Sequence, residues 1–184
     1  AIPPAPLSAA PGLALGAISY EAFQTYINCP LQYHYRYELT LTAEQEIDVS
    51  IRARWAVTDM LFEFVKHGAV PQPAFQAAWK ARLLPSKTDD PQLYDDAVTA
   101  AKRGLAVVRG IEGNLIEGLV AEVGGLQIEL PWMLSVGNEL HWIRAHEGQS
   151  GTMKQLRPMM VHLNDPGIRR ATIYSLITDK SISD

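Results

Sequence analysis

Leu119-Val120-Ala121-Glu122-Val123-Gly124-Gly125-Leu126-Gln127-Ile128-Glu129-Leu130 is the stretch where the pattern of the chain changes. Apolar residues alternate on either side of a Gly-Gly pair, as in a β-hairpin whose turn uses glycine's freedom at positive φ. Residues 132–136 and 139–145 predict two more strands around Gly137-Asn138. Residues 154–163 predict a helix, Asp165-Pro166-Gly167 a turn, and residues 170–178 a final strand carrying Ile173, Tyr174 and Ile177. Upstream of 119 the apolar period is helical. A long helix is expected over 43–66, with Ile51, Trp55, Thr58, Met60, Leu61 and Phe64 inward and a stop at His67-Gly68. Two more are expected over 73–83 and 91–117, the second capped by Asp89 or Asp90 and weakened by Gly104, Gly110 and Gly113. Helices first, then a small mixed sheet with one helix inserted before its last strand, is an α+β fold with N-terminal helices packed on the sheet.

Composition narrows the class. The 184 residues suit one domain with an arm, and 47% hydrophobic with 20% charged residues describe an ordinary globular chain. No apolar run is long enough to span a bilayer, and the N-terminus lacks the layout of a signal peptide. A single cysteine excludes an internal disulfide framework and fits a reducing, cytoplasmic setting. The net charge of −4 runs against a strongly basic nucleic-acid binder. Residues 1–17, rich in Pro, Ala, Ser and Gly, read as a linker or arm, and residues 18–184 as a domain excised from a longer polypeptide.

Between the arm and the long helix, Ser19-Tyr20-Glu21-Ala22-Phe23-Gln24-Thr25-Tyr26-Ile27-Asn28-Cys29-Pro30-Leu31-Gln32-Tyr33-His34-Tyr35-Arg36-Tyr37 holds five of the seven tyrosines and the only cysteine. Ser19 is placed to cap a first helix with Tyr20, Phe23, Tyr26 and Ile27 as its apolar stripe. Pro30 ends that helix or opens the next, and Cys29 is expected to pack rather than react. This segment, with its Ser, spaced aromatics and Cys-Pro, resembles the opening of RecB-type nuclease domains of the PD-(D/E)XK superfamily, found at the C-terminus of UvrD/Rep-type DNA helicases. The resemblance implies a restriction-endonuclease-like fold, a part in DNA repair or recombination, DNA as a partner and helicase motor domains in the same polypeptide.

It also implies where a metal site would stand. The family's Gly-x-x-x-His falls on Arg54 to Thr58, its first aspartate near Glu129, its Asp-x-Lys-Thr-Gly on Arg144 to Gly148, and its Gln-x-x-x-Tyr on Gln155 to Met159. Thr58 then replaces the histidine, Arg144 the carboxylate and His146 the lysine, while Gln155 and Gly148 are kept. A cation at a ligand position repels a divalent metal. As aligned, the chain has no catalytic and no metal-binding residue, no cofactor of its own and no phosphate loop for ATP, which would belong to the motor domains. The expected role is an inactive nuclease-like module in which Arg144, His146, Lys154, Gln155 and Arg157, extended by Arg169 and Arg170, hold DNA. One alternative is an active exonuclease using magnesium or manganese, with Glu129 and Glu147 brought together by a shifted register and Glu122, Glu139, Asp165, His141 or His146 nearby. Another is a docking scaffold without DNA contact, presenting Trp132, Trp142 and Met159-Met160. His34, His67 and His162 are read as structural or surface residues.

Overall fold

The computed structural model describes residues 17–40, 47–146 and 149–183. Local chemistry sets most helix ends. Strand β1 (Ile18–Ser19) leads into α1 (Tyr20–Asn28), where Ser19 Oγ accepts from the Ala22 amide at 3.1 Å and Glu21 sits in the positive first turn. Pro30 opens α2 (Pro30–Tyr33), which continues as a π-helical turn, His34–Glu38. Helix α3 (Val49–His67) is capped by Asp48, which accepts from the Ser50 amide at 2.8 Å, and ends at Gly68 with a φ of 63°. Helices α4 (Pro71–Ala81) and α5 (Pro91–Gly110) follow, and Asp90 caps α5 through the Leu93 amide at 3.0 Å. The arm over 1–16, the expected start of the long helix over 43–46, and Glu147-Gly148 lie outside the described residues.

The helix expected over 91–117 stops seven residues early. After Gly110 the chain turns into β2 (Asn114–Ile116), an edge strand antiparallel to β5 (Met133–Val136). A Cβ on Gly113 would stand 3.0 Å from the Ser135 carbonyl oxygen, so glycine is what lets the two backbones close. The face of α3 also differs from the expectation. Ala53, Ala56, Val57, Met60 and Leu61 are buried, while Ile51 is 40% exposed. Small residues won because α5 presses close. A Cβ on Gly104 would lie 2.5 Å from Leu61 Cδ1 and 3.0 Å from Leu176 Cδ1. Gly104→Ala is therefore expected to lower the unfolding free energy by about 1 kcal/mol, the overpacking outweighing a propensity gain of about 1 kcal/mol. Urea denaturation midpoints check the sign.

The strands form two sheets instead of one. The Gly124-Gly125 turn, at φ 60° and 79°, joins β3 (Val120–Val123) to β4 (Leu126–Glu129), and β1 adds in parallel to β4. Pro131, which has no N–H to give a ladder, separates this sheet from the second. There β5 pairs with β6 (Glu139–Arg144), and α6 (Gln149–Met160) carries the chain to β7 (Arg170–Ser175), parallel to β6. A final strand not anticipated, β8 (Lys180–Ser183), completes the order β2-β5-β6-β7-β8.

Period-2 alternation divides the core about this sheet. Leu140, Trp142, Ala171 and Ile173 pack with Tyr20 of α1 and Met153, Leu156 and Met159 of α6. Leu134, Ile143, Ala145 and Leu176 pack with α3, α4 and α5. The fold is α+β, and no helix among the described residues is long and apolar enough to cross a membrane.

Candidate functional site

Three segments far apart in sequence meet beside the end of β6. Alternation turns Arg144 to the same face as Trp142, toward α1 and α6. Its guanidinium lies 4.5 Å from the Trp142 ring centroid and 5.5 Å from that of Tyr20, and it donates to Thr152 Oγ1. Tyr20 and Trp142 themselves meet edge-on at 4.9 Å. The Tyr20 hydroxyl donates to Gln155 Oε1 at 2.8 Å, and Gln24 Nε2 donates to the same oxygen. The result is a cation lying over two aromatic rings that meet edge-on, tied to one hydroxyl, with the Gln155 amide anchoring the Tyr20 ring. Burial lowers the pKa of Arg144 and raises that of Tyr20 above its ordinary value. Arginine keeps its charge through such a shift, which a lysine here would not do as readily.

The residues expected to hold DNA thus part company. Arg144 and Gln155 are taken up inside this network, whereas His146, Lys154 and Arg157 are exposed, as are Arg169 and Arg170. His146 is fixed at its backbone, whose carbonyl accepts from Ser175 Oγ at 2.6 Å. Thr58, at the histidine position, bonds back to the Arg54 carbonyl of its own helix at 3.1 Å. The partners on α1 and α6 were not foreseen. Tyr20 and Gln24 stood in the aromatic opening segment without a target, and Thr152 carried no signal at all.

Carboxylates gather elsewhere. Glu129 ends β4 in the other sheet, at a hollow of about 380 Å³ that Glu21, Asp59 and Glu117 also line. Asp59 is paired with Arg82 at 2.8 Å and Glu117 with Lys66 at 3.0 Å. Glu139 accepts from Thr172 Oγ1 at 2.6 Å, Asp165 accepts from the Gly167 amide at 2.9 Å, and Glu122 is exposed on β3. Glu147 lies outside the described residues. Among the described residues no three His, Cys, Asp or Glu side chains converge to hold a metal ion.

No family model, no curated protein and no solved structure matches the chain.

The remaining candidates sort by burial. His141 stacks on Tyr174 with their rings 6.0 Å apart, and His34 pairs with Glu38 one turn on. Trp142 and Met159 are buried and Trp132 is half-buried against Phe62, so the apolar patch that the docking-scaffold alternative would draw from Trp132, Trp142 and Met159-Met160 is core. Cys29 corrects another expectation. Its backbone at φ −155° and ψ 93° breaks the helix before it, and the thiol is exposed rather than packed. Several exposed large apolar side chains lie instead on the opening segment. Ile27, Leu31, Tyr35 and Leu39 are each between 44% and 60% exposed at four-residue intervals.

Proposed function

We propose that this chain is a catalytically inactive, RecB-type nuclease-like domain of a UvrD/Rep-like ATP-dependent DNA helicase, supporting DNA binding or assembly in cytoplasmic DNA repair or recombination. The observation that carries the reading is the closed cage around Arg144. Residues aligned by resemblance to the opening motif, the carboxylate position and the glutamine position come together, though up to 135 positions separate them in sequence. At their centre stands a cation where the family would place a metal ligand. The strand order around it also supports the reading, with two antiparallel strands, a crossover helix and a parallel return.

In this reading DNA contact falls to the exposed Lys154 and Arg157 of α6, with His146 at its approach. Lys154→Glu with Arg157→Glu is expected to weaken binding of a single-stranded oligonucleotide about tenfold at low salt. The double variant is also expected to flatten the log–log salt dependence by about 1.4, at ~0.7 per phosphate contact. Fluorescence anisotropy over a salt series measures both, and a parallel incubation with magnesium or manganese looks for cleavage. Metal-dependent cleavage that Glu129→Ala abolishes would restore the active-exonuclease reading. Neither binding nor cleavage would favour the docking scaffold, for which the exposed Ile27, Leu31, Tyr35 and Leu39 of the opening segment are the specific support.

A further inference from the structure

The opening segment sets out a row of tyrosines whose hydroxyls are unused. The Tyr26 ring at the end of α1 meets that of Tyr33 edge-on at 5.4 Å, and Tyr33 meets Tyr37 at 5.4 Å with the planes tilted by 32°. All three are half-buried, and none of their hydroxyls has a hydrogen-bond partner among the described residues. No residue of the run 30–38 is fully buried, and Leu31 and Tyr35 within it are 60% and 46% exposed. Arg36, between Tyr35 and Tyr37, has its Nε buried with no acceptor. Buried donors are rarely left unmet in this way.

Ring faces beside hydroxyl and guanidinium donors suit an occupant that brings apolar rings and acceptors but few donors. A proline-rich segment meets that description. Its rings pack on aromatic faces, proline has no N–H, and the polyproline II form leaves its carbonyls without internal partners. Bases also stack on tyrosine, but a single strand needs a positive track for its phosphates. Here Arg36 and His34 stand against Glu21 and Glu38, and His34 is already paired with Glu38.

The chain carries such a segment itself. Residues 1–16 hold Pro3-Pro4-Ala5-Pro6 and contain no charged side chain. Pro6 stands eleven positions before Ala17, a length of chain that spans up to ~36 Å when extended. Helix α1 and the run 30–38, even laid end to end, cover only about 27 Å. A tether this short gives an effective concentration on the order of 1 mM, enough to fill a site of weak intrinsic affinity.

We propose that the row of Tyr26, Tyr33 and Tyr37 is a docking site for a proline-rich segment, and that Pro3-Pro4-Ala5-Pro6 of the same chain occupies it. The inference does not rest on the nuclease-like reading, since it uses neither Arg144, α6 nor DNA. It makes the arm a competitor for any partner that the opening segment would take.

Cys29, the only cysteine, is exposed between Tyr26 and Tyr33 in sequence and takes a nitroxide label. In two-dimensional NMR of the labelled full chain, the amide signals of Ile2, Ala5 and Leu7 are expected to be lost at every protein concentration and to return when the nitroxide is reduced. Pro3→Ser, Pro4→Ser and Pro6→Ser together are expected to restore them with an unchanged unfolding midpoint. Tyr33→Leu, which keeps bulk but removes the ring and the hydroxyl, is expected to restore them as well. Millimolar capped peptide Ile-Pro-Pro-Ala-Pro-Leu is expected to displace the arm, and oligothymidine is not. Arm signals that survive the label would overturn the proposal, as would a loss that persists in the triple serine variant. So would a loss caused only by label on a second copy, seen in mixtures of labelled and unlabelled chains, or displacement of the arm by oligothymidine.

Discussion

Arg52→Met is expected to lower the unfolding free energy by about 2–4 kcal/mol, with each partly buried carbonyl it strands costing up to ~1–3 kcal/mol. Arg52 is only 8% exposed, yet no carboxylate among the described residues pairs with it. Its Nε donates to the Ile47 carbonyl at 3.1 Å, and Nη1 donates to the carbonyls of Arg82 at 2.7 Å and Leu83 at 2.9 Å. One guanidinium therefore closes the approach to α3 and the end of α4 together. It also steadies Leu83, which sits at a φ of 52° and pays the steric cost that an L side chain meets there, about 1–2 kcal/mol. Arg52→Lys keeps the charge but cannot fork to three carbonyls, so its loss should fall between wild type and methionine. Leu83→Gly in the methionine background should return about 1 kcal/mol by relieving that backbone. Urea denaturation of the four proteins measures the series. A methionine variant as stable as wild type would mean that water satisfies the stranded carbonyls.

Arg144→Ala is expected to cost a similar ~2–4 kcal/mol, from two cation–π contacts of ~0.5–2 kcal/mol each and the space emptied over Tyr20 and Trp142. Its effect on oligonucleotide binding, measured where the variant is fully folded, should stay within twofold, because the guanidinium faces Tyr20, Trp142 and Thr152. A variant that folds as well as wild type but binds DNA tenfold more weakly would return Arg144 to the DNA surface. The alkaline limb supplies a second readout. Tyr20 is raised by burial, so folding holds its proton at a pH where the unfolded chain has released it. That contribution is present below the unfolded value of about 10 and is lost as pH climbs through the folded value. Stability should fall with pH above about 10, and Tyr20→Phe should flatten the fall. Phenylalanine also removes the hydrogen bond to Gln155, at a cost of about 1 kcal/mol at neutral pH.

The two arginines mark where reading the sequence stops. Arg52 is absent from the inner face expected of the long helix because helical spacing ranks long apolar side chains inward, and Arg144 is placed among the DNA-holding residues because alignment puts it at a ligand position. Nothing local distinguishes an arginine that meets phosphate from one that caps a helix end or fills an aromatic cage. The partners lie about 30 positions away for Arg52 and 124 for Tyr20 with Arg144, and only folding brings them within reach.

By itself the sequence determined what short-range chemistry controls. Ser19, Asp90 and Gly68 set helix ends because a side-chain oxygen or a left-handed backbone acts within one turn. Gly124-Gly125 determined a hairpin, and the change from helical to alternating period determined the α+β class. The tertiary structure decided the rest. It ended α5 at Gly110, because the next residues gain a ladder on β5 that an isolated helix cannot offer. It split the strands into two sheets by pairing β1 with β4 across about 110 residues. It turned the small face of α3 inward because α5 supplied Gly104 opposite Leu61. Pairing, close approach and burial all depend on a second surface, and a residue's neighbours in sequence carry no record of which surface that will be.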